Sequence, residues 1–156
     1  MVYILDTSSI RVFANYYPAT FETFWEHLEE LVNDGRAISV REVLKELEFQ
    51  NPDAHLAAWN ANHKAIFSPP TEEDMGHVAE IFAVEHFHQL IGETQRLRGQ
   101  PVADPWIIAR AMSLGAVVVT EETYRPNAAR IPNVCEHFRV ECIDLETMLS
   151  REGWKY

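Results

Sequence analysis

Apolar residues along this chain follow two patterns. Short unbroken apolar runs occur at Tyr3 to Leu5, in "RAISV" (36–40), in "AVVVT" (116–120) and in "RVECI" (139–143). Such runs suit strands buried on both faces of a parallel sheet. Between them the apolar positions recur at helical spacing. Phe21, Phe24, Trp25, Leu28, Leu31 and Val32 mark one helix, and Val43, Leu44 and Leu47 mark the next in "REVLKELEFQ". A short helix is expected over residues 53–62, an extended stretch in "KAIFSPP", and a long helix from Thr71 to about Gln89. "DPWIIARAMSLG" reads as a further helix, "IPNVCEHF" as a short one and "DLETMLSREG" as a closing one.

Local signals refine the boundaries. A serine, Ser8 or Ser9, is expected to cap a short helix running to Phe13, and Thr20 to cap the next. Gly35 and Gly115 stand where helices end, and Thr71 leads an acidic first turn of Glu72, Glu73 and Asp74. Asp104 is expected as an N-cap ahead of Pro105. Strands alternating with helices predict an α/β fold whose mostly parallel sheet is covered on both faces. The 156 residues suggest a single domain, 1–156, with an extended helical middle at about 50–100.

Composition narrows the classes. Hydrophobic residues make up 47% and charged residues 24%, as in folded soluble proteins. No apolar run reaches membrane-spanning length, and the N-terminus lacks the layout of a secretory signal, so a cytoplasmic protein is expected. Cys135 and Cys142 form no Cys-x-x-Cys pair and read as small core residues. The net charge of −11 argues against a protein that holds nucleic acid by bulk electrostatics. It leaves room for an enzyme that touches RNA briefly, and it suits a partner with a basic segment.

The candidate chemistry is acidic. Ligands of open parallel sheets bind beyond the carboxyl ends of the strands. Asp6 follows the first strand, Glu121 and Glu122 follow "AVVVT", and Asp104 opens the helix leading into that strand. Glu42 and Glu46, four apart, share a helix face. Carboxylates gathered at one edge repel one another, and a hard divalent cation such as Mg²⁺ or Mn²⁺ relieves the repulsion. His86 and His88, two apart, face different sides of a regular helix and make no metal pair. Arg96 and Arg98 in "TQRLRGQ", with Arg110 and Arg125 behind them, are the candidate phosphate contacts. Tyr16, Tyr17, Trp25 and Trp59 read as core or interface aromatics.

"YILDTSSI", "SVREVLKELE", "ADPWIIARA" and "VVTEE" resemble, in that order, the four acidic motifs of PIN-domain ribonucleases. The end of the chain is similar to a bacterial subgroup related to the VapC toxins. Where the family commonly has Thr-x-Asp, this chain has Glu122, one methylene longer. The resemblance implies a three-layer α/β/α sandwich and Mg²⁺- or Mn²⁺-dependent endoribonuclease activity that leaves a 5′-phosphate. It implies Asp6, Glu46, Asp104 and Glu122 as catalytic and metal-binding acids, with Glu42 the alternative to Glu46. Ser8, or Thr7 in its place, would assist at the metal. An RNA substrate, an antitoxin partner and a homodimer are implied as well. Two other readings stay open. One is a PIN-fold binding or scaffold module without chemistry; the other is a phosphohydrolase acting on small phosphate esters.

Overall fold

The computed structural model describes residues 1–92 and 99–156. Five short strands form its sheet: β1 (Tyr3–Leu5), β2 (Ala37–Val40), β3 (Phe67–Ser68), β4 (Val117–Val119) and β5 (Cys142–Ile143). They lie in the order β3-β2-β1-β4-β5, and every neighbouring pair is parallel. Tyr3 pairs with Ala37 on one side and Val117 on the other, which puts β1 at the centre. That position explains its composition: Tyr3, Ile4 and Leu5 are all fully buried, as are Val118 and Val119 beside them.

Helices cover both faces, giving the three-layer α/β/α PIN-like sandwich. They are α1 (Thr7–Val12), α2 (Glu22–Asn33), α3 (Arg41–Phe49), α4 (Ala54–Asn62), α5 (Glu72–Phe82), α6 (Asp104–Leu114), α7 (Ile131–His137) and α8 (Leu145–Arg151). Short 3₁₀ segments occupy Phe13–Asn15, Lys64–Ile66 and Glu85–Leu90. The strand order reverses direction at β1, because the chain leaves β3 on one flank and returns as β4 on the other. In parallel sheets this reversal opens a crevice beyond the carboxyl ends of the two strands that part there, here β1 and β4. No helix among the described residues is long and apolar enough to cross a membrane.

Several boundaries differ from the sequence expectation, each for a local reason. The first helix is capped by Asp6 rather than by a serine: its carboxylate accepts the Thr7 N–H at 2.7 Å. Thr20 caps nothing; Phe21 holds the N-cap position of α2 without a side-chain bond. Asp104 is the first residue of α6 and Ala103 is its cap, so the Asp104 carboxylate is not spent on capping. Helix α5 stops at Phe82 instead of running to Gln89. Val84 turns extended (φ −89°, ψ 107°), and the following 3₁₀ turn brings Phe87 and Leu90 into the core. His88 Nε2 donates to the freed Phe82 carbonyl at 2.6 Å. Only Cys142 and Ile143 of "RVECI" are strand. At Gly115 (φ 62°) α6 ends in the left-handed conformation that glycine adopts without steric penalty.

Candidate acidic site

Asp6 leaves β1 directly at the crevice, and its carboxylate is fixed from three directions. Oδ1 accepts the Thr7 N–H, and Oδ2 accepts the hydroxyls of Ser8 and Thr120, each at 2.7 Å. Those two hydroxyls in turn accept backbone N–H groups, Ser8 from Glu121 (3.0 Å) and Thr120 from Glu122 (3.2 Å). The turn after β4 is thereby tied to the end of β1 through one buried carboxylate. Thr120 is 1% exposed, so its hydroxyl must find partners within the protein, and it finds them here.

Glu46 reaches the same place from the second turn of α3. Its Oε2 accepts the Thr7 hydroxyl at 3.0 Å and its Oε1 the Ala103 N–H at 3.1 Å. The second bond lies at the start of α6, where Asp104 follows. Glu122 enters from the β4 turn, with Oε2 accepting the Ile131 N–H at 3.0 Å. Asp6, Glu46, Asp104 and Glu122, with Ser8, line one cavity of about 300 Å³.

Electrostatics inside that cavity are unbalanced. Burial pushes Glu46 up to about 7, and the charges of Asp6 and Glu122 add to the shift; the bonds from Thr7 and Ala103 oppose it. Asp104 lies well above the ordinary carboxylate range, first through burial and then through Asp6, Glu122 and Glu46. Burial raises Glu122 too, helped by Asp6 and opposed by the Ile131 N–H and Arg130. Buried carboxylates that repel one another hold protons they would otherwise release.

The donor set consists of hard oxygens, which suits Mg²⁺ or Mn²⁺ rather than a softer metal. The spacing is another matter. Among the described residues, no group of three or more His, Cys, Asp or Glu stands ready to hold a metal ion. Magnesium tolerates that arrangement, since it keeps several waters and uses one or two carboxylates directly. The residues therefore fit a hydrated cation by donor chemistry and do not form a closed cage.

The other candidates lie elsewhere. Glu42 does not line this cavity; it is buried, with Oε1 accepting from Arg41 and Oε2 without a hydrogen-bond partner. Glu121 points away, accepting from the Leu145 N–H at 2.9 Å and the Ser9 hydroxyl at 3.2 Å. Arg110 is no phosphate contact: it is buried and its Nε donates to Asp74 at 2.8 Å. Arg96 and Arg98 lie outside the described residues. Tyr17 is 61% exposed and so is no core residue, whereas Trp59 is buried. Cys135 and Cys142 are free thiols, the first buried and the second half-buried.

Among the lining or supporting residues that sequence reasoning missed are Thr120, Arg11, Phe49 and Gln50. The Thr ending "VVVT" signalled the first. Nothing in the pattern singled out the other three, which share the cavity with the acids. A larger cavity, about 610 Å³, opens beside the loop after β4 near His86, Tyr124 and His137. It carries one carboxylate, Glu136, and no comparable chemistry.

No curated protein matches the chain. The crystal structure of VapBC2 from Rickettsia felis bound to a DNA fragment from their promoter includes a chain that superposes with a TM-score of 0.51 at 15% identity. The match covers 92% of this chain and 98% of that one. The crystal structure of PAE2754 from Pyrobaculum aerophilum superposes with a TM-score of 0.50 at 19% identity, over 97% of this chain and 96% of that one. At such identity the likeness establishes the fold. The sequence itself matches the family described as "Domain of unknown function (DUF4411)" over residues 3–156. This chain is thus a member of the DUF4411 family, built on a PIN-like sandwich.

Proposed function

We propose that the acidic cavity takes Mg²⁺ or Mn²⁺ and that the chain hydrolyses RNA phosphodiesters, as the toxin half of a toxin–antitoxin pair. One observation carries this reading: Asp6, Glu46, Asp104 and Glu122 line a single cavity at the strand-order reversal. Asp6 and Asp104 would hold the cation, with Glu46 and Glu122 completing the ring through waters. When bound, the cation supplies charge neutralisation and a more acidic water. The chain's own contribution is positional. Ser8 and Thr120 fix the Asp6 carboxylate by donating to Oδ2. Glu46, near 7 before any cation binds, can hold or release a proton at neutral pH and is the best general-base candidate. The likeness to a chain of VapBC2 favours an antitoxin partner, whose cationic segment would suit the acidic cavity. A symmetric homodimer belongs to the same proposal.

A second reading has its own support. The missing three-ligand group among the described residues weighs toward a PIN-fold binding module without chemistry. Two measurements decide between them. Calorimetry with Mn²⁺ on wild type and Asp6→Asn is expected to show binding that the variant loses. Cleavage of RNA with Mg²⁺ or Mn²⁺ is expected from wild type and not from Asp104→Ala. A cavity with no Mn²⁺ affinity and no cleavage leaves the binding module.

A further inference from the structure

Four carboxylates on a chain of net charge −11 repel a polyanion, so an RNA strand reaching them needs at least one cation on its path. Four arginines are unavailable. Arg36, Arg41, Arg110 and Arg151 are each taken by a carboxylate. Arg11 differs. It sits in the last turn of α1, is exposed, and has no ion-pair partner among the described residues. It lines the acidic cavity directly.

Phe49 is the second anomaly. It closes α3, three residues beyond Glu46 and so on the same helix face. The residue is 61% exposed at the rim of a polar cavity, where neither packing nor solubility calls for an aromatic. Arg11 and Gln50 also line an adjoining hollow of about 210 Å³, which extends the depression away from the acids.

We propose that Arg11 and Phe49 grip a single-stranded RNA at the mouth of the acidic cavity. Arg11 takes a phosphate neighbouring the one presented to the carboxylates, and Phe49 stacks on a flanking base. A guanidinium meets phosphate oxygens in a bidentate fork, and aromatic rings stack on any base. The proposal rests on the nuclease reading for its substrate and names the two residues that bind it.

The test is binding of a short RNA carrying 2-aminopurine, in chelator so that no cleavage occurs, to wild type, Arg11→Gln, Phe49→Ala and Phe49→Tyr. Phe49→Ala is expected to weaken binding about tenfold and to abolish 2-aminopurine quenching, with Phe49→Tyr restoring both. Arg11→Gln is expected to weaken binding several-fold and to reduce the salt slope by about 0.7. Affinity, slope and quenching unchanged in these variants, or no binding by wild type, overturn the grip. Cleavage of the same RNA in Mn²⁺ is scored separately. Cleavage with variant-insensitive binding sinks the grip alone; variant-sensitive binding without cleavage keeps the grip and sinks the nuclease.

Discussion

Helix α6 serves two aspartates, Asp74 buried and Asp104 half-buried, in opposite ways. Its middle sends Arg110 to Asp74 of α5, whose carboxylate also accepts the Ser113 hydroxyl (2.7 Å) and the Thr71 N–H (2.9 Å). Arg110 spends two further donors on the Ser68 hydroxyl and the Pro69 carbonyl, which ties β3 and its loop to both helices. Asp74 is held below the usual carboxylate range even though burial alone would raise it. At its start the same helix carries Asp104 into the company of three more carboxylates, with no arginine among the described residues paired to it, and Asp104 is pushed upward. A buried acid that stabilises the fold arrives with its cation and its donors. One that arrives with other acids weakens the fold and marks a candidate binding site.

The contrast is sharpest when the arginine's partner is removed. Asp74→Ala leaves the Arg110 charge buried and unpaired, and a loss of about 3–5 kcal/mol in urea unfolding is expected. A loss near zero would mean that Arg110 escapes to water and that the pair is not structural. Asp104→Asn is expected to act with the opposite sign. It removes repulsion from the cavity, so the metal-free protein should gain roughly 1 kcal/mol while Mn²⁺ affinity falls. Destabilisation by Asp104→Asn would place Asp104 with Asp74 as a structural acid.

These differences were unevenly legible in the sequence. Asp6 and Asp104 stood out because an apolar run stops at the first and a proline follows the second, and both signals are local. Glu46 and Glu42 share a helix face by spacing, and only the packing of α3 against its neighbours separates the cavity-lining residue from the one beside Arg41. The Arg110–Asp74 pair joins positions 36 apart, beyond the reach of any periodicity. The end of α5 failed for the same reason: the helical pattern continues past Phe82, but burial of Phe87 and Leu90 outweighs it. The sandwich itself was legible, because continuous apolar strands have few other solutions.

The pH dependence of stability sharpens the comparison further. Glu46 titrates near 7 in the fold, against an ordinary 4.5. The native state holds this proton more tightly than the unfolded chain. Its contribution is therefore complete below the unfolded value and is lost as pH rises through the folded one. Without divalent cations, the melting temperature is expected to fall between about pH 5 and pH 8, and Glu46→Gln to flatten that fall. Mn²⁺ should restore stability at the alkaline end by binding the ionised form. Asp74 works in the other direction, losing its stabilisation only at acid pH, so a profile that declines on both sides is expected of the wild type.

The smallest effect tests the closest ambiguity. Glu121 and Glu122 are adjacent glutamates on one turn, yet only Glu122 lines the cavity. Glu121 spends its Oε1 on the Leu145 N–H and the Ser9 hydroxyl. A glutamine keeps that acceptor oxygen, so Glu121→Gln is expected to cost at most about 0.5 kcal/mol. Its Mn²⁺ isotherm should overlay that of wild type. Glu122→Gln, one position on, removes a charge that repels Asp104 and should weaken Mn²⁺ binding measurably. If the two variants exchange these outcomes, the cation is held by the outer acid of the turn, and the contrast between neutralised and unneutralised carboxylates has been drawn around the wrong residue.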